Sequence, residues 1–109
     1  MTKTPRHLPF HAWPRADQRA WGRAIAPAGL FDDPGPAVHW RETTRLQRQR
    51  HYGYWLRFCE IAGITIRPGG SIAERATPAS MSAFVADLEG TLSINAVAIY
   101  VEAIAATLR

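Results

Sequence analysis

One cysteine, Cys59, stands in the whole chain, which excludes a disulfide framework and points to a reducing compartment. It falls inside an apolar helical stripe, where a buried structural thiol is expected. Lysine is nearly absent too, since twelve of the thirteen cationic residues are arginine. Arginine's planar fork suits bidentate phosphate or base contacts, although a GC-rich coding sequence produces the same bias. No apolar run approaches the ~18 residues expected of a membrane-spanning helix, and MTKTPRHLPFHAW lacks the continuous apolar stretch of a secretory signal. The expected location is therefore cytoplasmic. Strand-like alternation and internal repeats are also missing.

Catalytic and metal-binding sets are equally sparse. His7 and His11 are four apart, but prolines interrupt any helix that would align them, and no cysteine or carboxylate cluster accompanies them. Asp32 and Asp33 are adjacent in turn-forming sequence, which favours a turn over acid–base chemistry. The Gly69-Gly70-Ser71 run lacks the phosphate-loop pattern and a preceding strand, so it reads as a flexible turn. No nucleophile has both a base and an oxyanion stabiliser within a recognisable motif. The chain reads as noncatalytic, with no cofactor or metal expected.

What is present is a chain of 109 residues, 47% apolar, enough for one domain or one domain with an arm. Its charge is unevenly held. Residues 1–62 carry ten Lys/Arg against five Asp/Glu, whereas residues 63–109 carry three against four. Within the basic part, TRLQRQRHYGYWLRFCEIAG (44–63) has the period of a long helix. At roughly 100° per residue, Tyr52, Trp55, Cys59 and Ala62 share one face, with Phe58 at its edge and His51 bordering it. The same line meets Arg48, Arg45 and Arg41 toward the N-terminus. A helix anchored by its C-terminal half, with cationic first turns overhanging something negative, suggests phosphate of duplex DNA.

The rest of the chain follows the same helical logic. Residues 1–13 read as an extended arm broken by Pro5 and Pro9, and Pro14 to Ala26 as a short helix burying Ala20, Trp21, Ala24 and Ile25. Arg15, Arg19 and Arg23 form a solvated stripe on its other face. The loop GLFDDPGPA (29–37) divides an N-terminal arm with a short helix, 1–36, from a helical domain, 37–109. The long helix spans about 37–62 and ends at Gly63 in a left-handed position. An irregular connector (64–76) leads to Thr77-Pro78, an N-cap with proline at the first helical position, followed by Met81, Phe84, Val85 and Leu88. After Gly90, Ser93 caps a last helix with Val97, Val101, Ile104 and Leu108 on one stripe. That helix is apolar nearly all round, so Ile99 and Ala103 are expected to meet something outside the chain. Trp40 and Tyr54 are the rings expected to be exposed.

From Trp40 onward, the long helix closing in YGYWLRFCEIAG, the ERATPASMSAFVADL segment and the final SINAVAIYVEAIAATLR resemble the N-terminal core-binding domain of tyrosine recombinases of the phage-integrase type. The resemblance covers about two thirds of the chain and rests on order and spacing. It implies an all-α, SAM-like bundle of four to five helices with an extended N-terminal arm. It also implies a clamp on double-stranded DNA whose catalytic half is a separate C-terminal domain. Arg41, Thr44, Arg45, Arg48 and Arg109 are the expected DNA-binding residues. The family's catalytic residues have no counterparts here, and Tyr52, Tyr54 and Tyr100 lie in the binding helices. This chain departs from its relatives in the last helix, where Ile99 and Tyr100 replace the usual basic residues. The expected partners besides DNA are the catalytic domain or other recombinase protomers, met through the last helix. The alternative is a helical protein-interaction module that works through that same apolar helix.

Overall fold

The computed structural model describes residues 7–26, 35, 38, 40–90 and 92–108. Four α-helices make up most of this: α1 (Arg15–Ile25), α2 (Glu42–Ala62), α3 (Pro78–Glu89) and α4 (Ile94–Leu108). Two short 3-10 turns, Phe10–Ala12 and Ile72–Arg75, complete the all-α bundle. There is no strand among the described residues. None of the described helices is long and apolar enough to cross a membrane. Most of the loop expected over 29–37, with Asp32 and Asp33, lies outside the described residues, as do His39 and Arg109.

Helix boundaries follow capping chemistry. Thr77 accepts from the Ser80 amide (3.0 Å) while the Ser80 hydroxyl accepts from the Thr77 amide (2.9 Å), a reciprocal capping box with Pro78 inside the first turn. Gly63 ends α2 at φ +73°, which a side chain would disfavour. The Ser93 hydroxyl accepts from the Ala96 amide (3.3 Å) at the start of α4. Pro14 is the N-cap residue of α1 and not its first helical residue. α2 begins at Glu42 and not near residue 37. The preceding residues are committed elsewhere: Val38 gives its carbonyl to the Arg45 guanidinium (2.7 Å), and Trp40 lies 6.2 Å from the Trp21 ring.

The core corrects two expectations. First, residues 7–13 are not a free extended arm. Trp13 is buried, its indole donates to the Leu8 carbonyl (2.8 Å), and the Leu8 amide donates to Gly53 in mid-α2 (3.0 Å). A Cβ at position 53 would run into the Leu8 carbonyl oxygen, so glycine is what admits this strap. Apolar Leu8 and Trp13 gain more from this burial than a solvated arm would. Second, α4 packs against α1, α2 and α3. Ala103 is fully buried and Ile99 is half-buried, so Ala103 is internal core and not an outward-facing partner surface. A central helix is apolar on several sides because several helices surround it.

The expected core stripes otherwise match except at one position. Trp55, Tyr52, Cys59, Phe84, Leu88, Val97 and Ile104 are buried and Leu56 joins them, whereas Ala62, expected on the buried face, is exposed in the last turn of α2. Burial pushes the Cys59 thiol up to about 12, which keeps it protonated and unreactive.

One polar group sits among these side chains. Asp17 is completely buried, and its Oδ1 accepts from the Tyr52 hydroxyl (2.6 Å) and from Nη1 of Arg75 (2.8 Å). Arg75 is itself nearly buried, so the pair is shielded from water. Burial and then the neighbouring carboxylate raise the Tyr52 hydroxyl far above its ordinary range, so it stays a donor.

Asp17→Ala should cost about 3–5 kcal/mol in urea unfolding, because it strands the Arg75 cation. Asp17→Leu combined with Arg75→Met should recover most of that loss. Equal instability in the single and double variants would show that shape, not charge pairing, governs the site. Trp55→Ala, which empties a fully buried position, should cost ~3–5 kcal/mol by the same measurement.

Candidate nucleic-acid interface

Four arginines fall within ten residues at the leading half of α2: Arg41, Arg45, Arg48 and Arg50. The opposite half of the helix is fixed in the core by Tyr52, Trp55 and Cys59, so the arginines ride on a rigid support. Arg41 is the N-cap residue and is exposed. The Arg41 side chain does not cap this end of α2, and Glu42 is the acidic residue of the first turn. A guanidinium at the positive end of a helix dipole is repelled by its own helix, and an external anion relieves that repulsion.

The next two arginines are not free overhanging cations. They continue the helix face that Tyr52 and Trp55 bury, so the helix turns them toward the body. Nη2 of Arg45 is tied to the Val38 carbonyl, and its Nε is buried without an acceptor. Arg48 lies 5.6 Å from the Trp40 ring centroid, and its Nη2 is 3.7 Å from Oε2 of Glu102 on α4. Its Nε is also buried and unpartnered. Thr44 is half-buried beside them, and Arg109 lies outside the described residues.

Arg50 was not among the expected site residues, yet it is exposed on α2. It lies on the face roughly opposite the Arg41–Arg48 line, which is why a search along the apolar stripe passes it over. Arg15, Arg19 and Arg23 on α1 are exposed as expected. The conformation therefore brings Arg45 and Arg48 against the body and leaves Arg41 and Arg50 available on α2.

The aromatic residues behind this surface form a ladder. His51 stacks on Tyr100 at 4.1 Å, Tyr100 meets Tyr54 at 5.4 Å, and Tyr54 meets His7 at 5.5 Å. Tyr54 and Trp40, expected as exposed rings, are both half-buried. Burial, then Arg48 and Arg50, lower the His51 pKa from 6.5 to about 4, so the ring is neutral near pH 7. His51 thus behaves as the core-edge residue its position suggests. No group of three His, Cys, Asp or Glu side chains among the described residues could hold a metal ion.

No family model, curated protein or solved structure matches this chain.

The depressed His51 value gives a pH dependence of defined sign. Its contribution to stability is fully present above the unfolded value of 6.5 and is lost as pH falls toward about 4. Thermal melts should show the wild-type Tm falling more steeply across that window than the Tm of His51→Gln. Parallel profiles would mean that the ring is solvated in the folded protein.

Proposed function

We propose that this chain is a noncatalytic DNA-binding module, the core-binding half of a site-specific tyrosine recombinase or integrase, acting in the cytoplasm. Duplex DNA is gripped mainly through phosphate contacts, and cleavage and rejoining belong to a separate catalytic domain. The observation that carries this reading is the concentration of arginine on the leading half of a helix whose other half is core, with Arg41 exposed at the helix's positive end. Arg45 and Arg48 serve as a second rank behind Arg41, able to turn outward, and Thr44 supplies a hydroxyl to the same backbone. Arg109, outside the described residues, is the cation that follows the last helix in sequence. The order of elements supports the reading further: α2 closing at Gly63, α3 starting at Thr77-Pro78, and α4 ending at Leu108.

A catalytic domain or second protomer would meet the outer edge of α4, where Ile94, Ala98 and Ala105 are exposed. The alternative, a protein-interaction module built on an unpartnered last helix, loses its main support with Ala103 fully buried.

Fluorescence anisotropy with a labelled random-sequence duplex, titrated across salt concentrations, tests the reading. Wild type should bind with affinity that falls steeply as salt rises. Replacing Arg41, Arg45 and Arg48 together with Ala should weaken binding and reduce the log–log salt slope by at most about three, one per lost phosphate contact. An unchanged slope moves the DNA surface away from the start of α2. Absence of duplex binding even at low salt overturns the reading.

A further inference from the structure

Among the described residues, Arg48 is the arginine at the start of α2 that faces an acidic side chain from another helix: Glu102 of α4 places Oε2 at 3.7 Å from its Nη2. The contact is a single long one and not the bidentate fork that arginine makes with a well-placed carboxylate. Glu102 is also half-exposed, at 53%, while the Arg48 side chain is 15% exposed. An ion pair this open to water adds little to stability. Nor is Glu102 needed to orient the guanidinium, because the Trp40 ring already supports it at 5.6 Å. What the carboxylate does is neutralise the cation on the side facing solvent. The Arg48 Nε is buried without an acceptor among the described residues, so the guanidinium keeps unused donor capacity.

Resting on the DNA-binding reading above, we propose that Glu102 is an intramolecular brake, a phosphate mimic that occupies Arg48 until a nucleic-acid phosphate displaces it. Binding then proceeds by exchange: the Arg48 guanidinium leaves one carboxylate oxygen for a phosphate able to accept two parallel hydrogen bonds. The exchange raises the threshold for weak anions and free counterions while permitting a polyanion, whose neighbouring phosphate is held by Arg41.

A double-mutant cycle tests the brake. Glu102→Gln preserves side-chain size and leaves the buried neighbours Ala103 and Ile104 unchanged, so its Tm should stay near that of wild type. In anisotropy titrations with a labelled random-sequence duplex, Glu102→Gln should bind about twofold to fivefold more tightly. Its log–log salt slope should be steeper by about one, as a further counterion is released. Introduced into an Arg48→Ala background, the same substitution should change neither quantity. Tightening that persists without Arg48 would reveal general charge repulsion and overturn the brake while leaving DNA binding intact. Unchanged affinity in Glu102→Gln would overturn it as well. If none of the four proteins binds duplex, the DNA-binding reading itself fails and the brake falls with it.

Discussion

Asp17 is the point on which three separated parts of the chain converge. Its carboxylate joins α1 to the Tyr52 hydroxyl in the middle of α2 and to the guanidinium of Arg75, at the end of the connector before α3. Taking a charge out of water is costly, and a partner of opposite sign with well-formed hydrogen bonds offsets the cost only where the geometry is correct. The pair is therefore more informative about specificity than about stability. An alternative arrangement of these helices would bury Asp17 without Arg75 and would be penalised accordingly. One carboxylate oxygen, Oδ2, has no partner among the described residues, so Oδ1 carries the link to Tyr52 and Arg75.

The same junction determines how the arginine-bearing surface is held. Tyr52 lies one turn beyond Arg48, so fixing the Tyr52 hydroxyl also fixes the rotation of α2 about its axis. That rotation turns Arg45 and Arg48 toward Val38, Trp40 and Glu102, and turns Arg50 to solvent. A helix rotated by half a turn would reverse these roles. The disposition of positive charge on the outside is in this sense decided by a negative charge on the inside.

Much of the architecture is legible in the sequence because it depends on local chemistry. Thr77-Pro78, Gly63 and Ser93 mark helix ends through capping and backbone conformation, and the stripe at Tyr52, Trp55 and Cys59 reports its own burial. Asp17 was also visible in principle: it occupies the apolar register of Ala20, Trp21 and Ala24, and an acid in such a register signals a buried charge. Arg75 had no such signal, since it lies in an aperiodic connector and acquires its meaning only from a residue far away. The burial of Leu8 and Trp13 was hidden by the prolines around them, which rule out a regular helix but not packing. The all-round apolar character of α4 suggests a surface awaiting a partner outside the chain, but its neighbours are α1, α2 and α3. Composition does not distinguish a surface awaiting a partner from a centre already surrounded. The arginine stripe poses the same difficulty, since periodicity identifies a shared face but not whether long side chains on it extend outward or fold back.

The strap that crosses Gly53 bears on how the chain reaches this structure. Helical bundles tend to fold quickly because most of their contacts are local. Here the hydrogen bond between Leu8 and Gly53 and the links from Asp17 to Tyr52 and Arg75 join residues 35 or more positions apart. Each requires a long segment to close before any favourable interaction is gained, with an entropic cost that grows slowly with loop length. The hydrogen bonds within each helix are local and need none of these closures, but docking of the helices does. The order of assembly is thereby constrained from its two distant ends: the N-terminal strap can settle only after the middle of α2 exists to receive it, and the backbone at position 53 acts as a late-filled seat in folding.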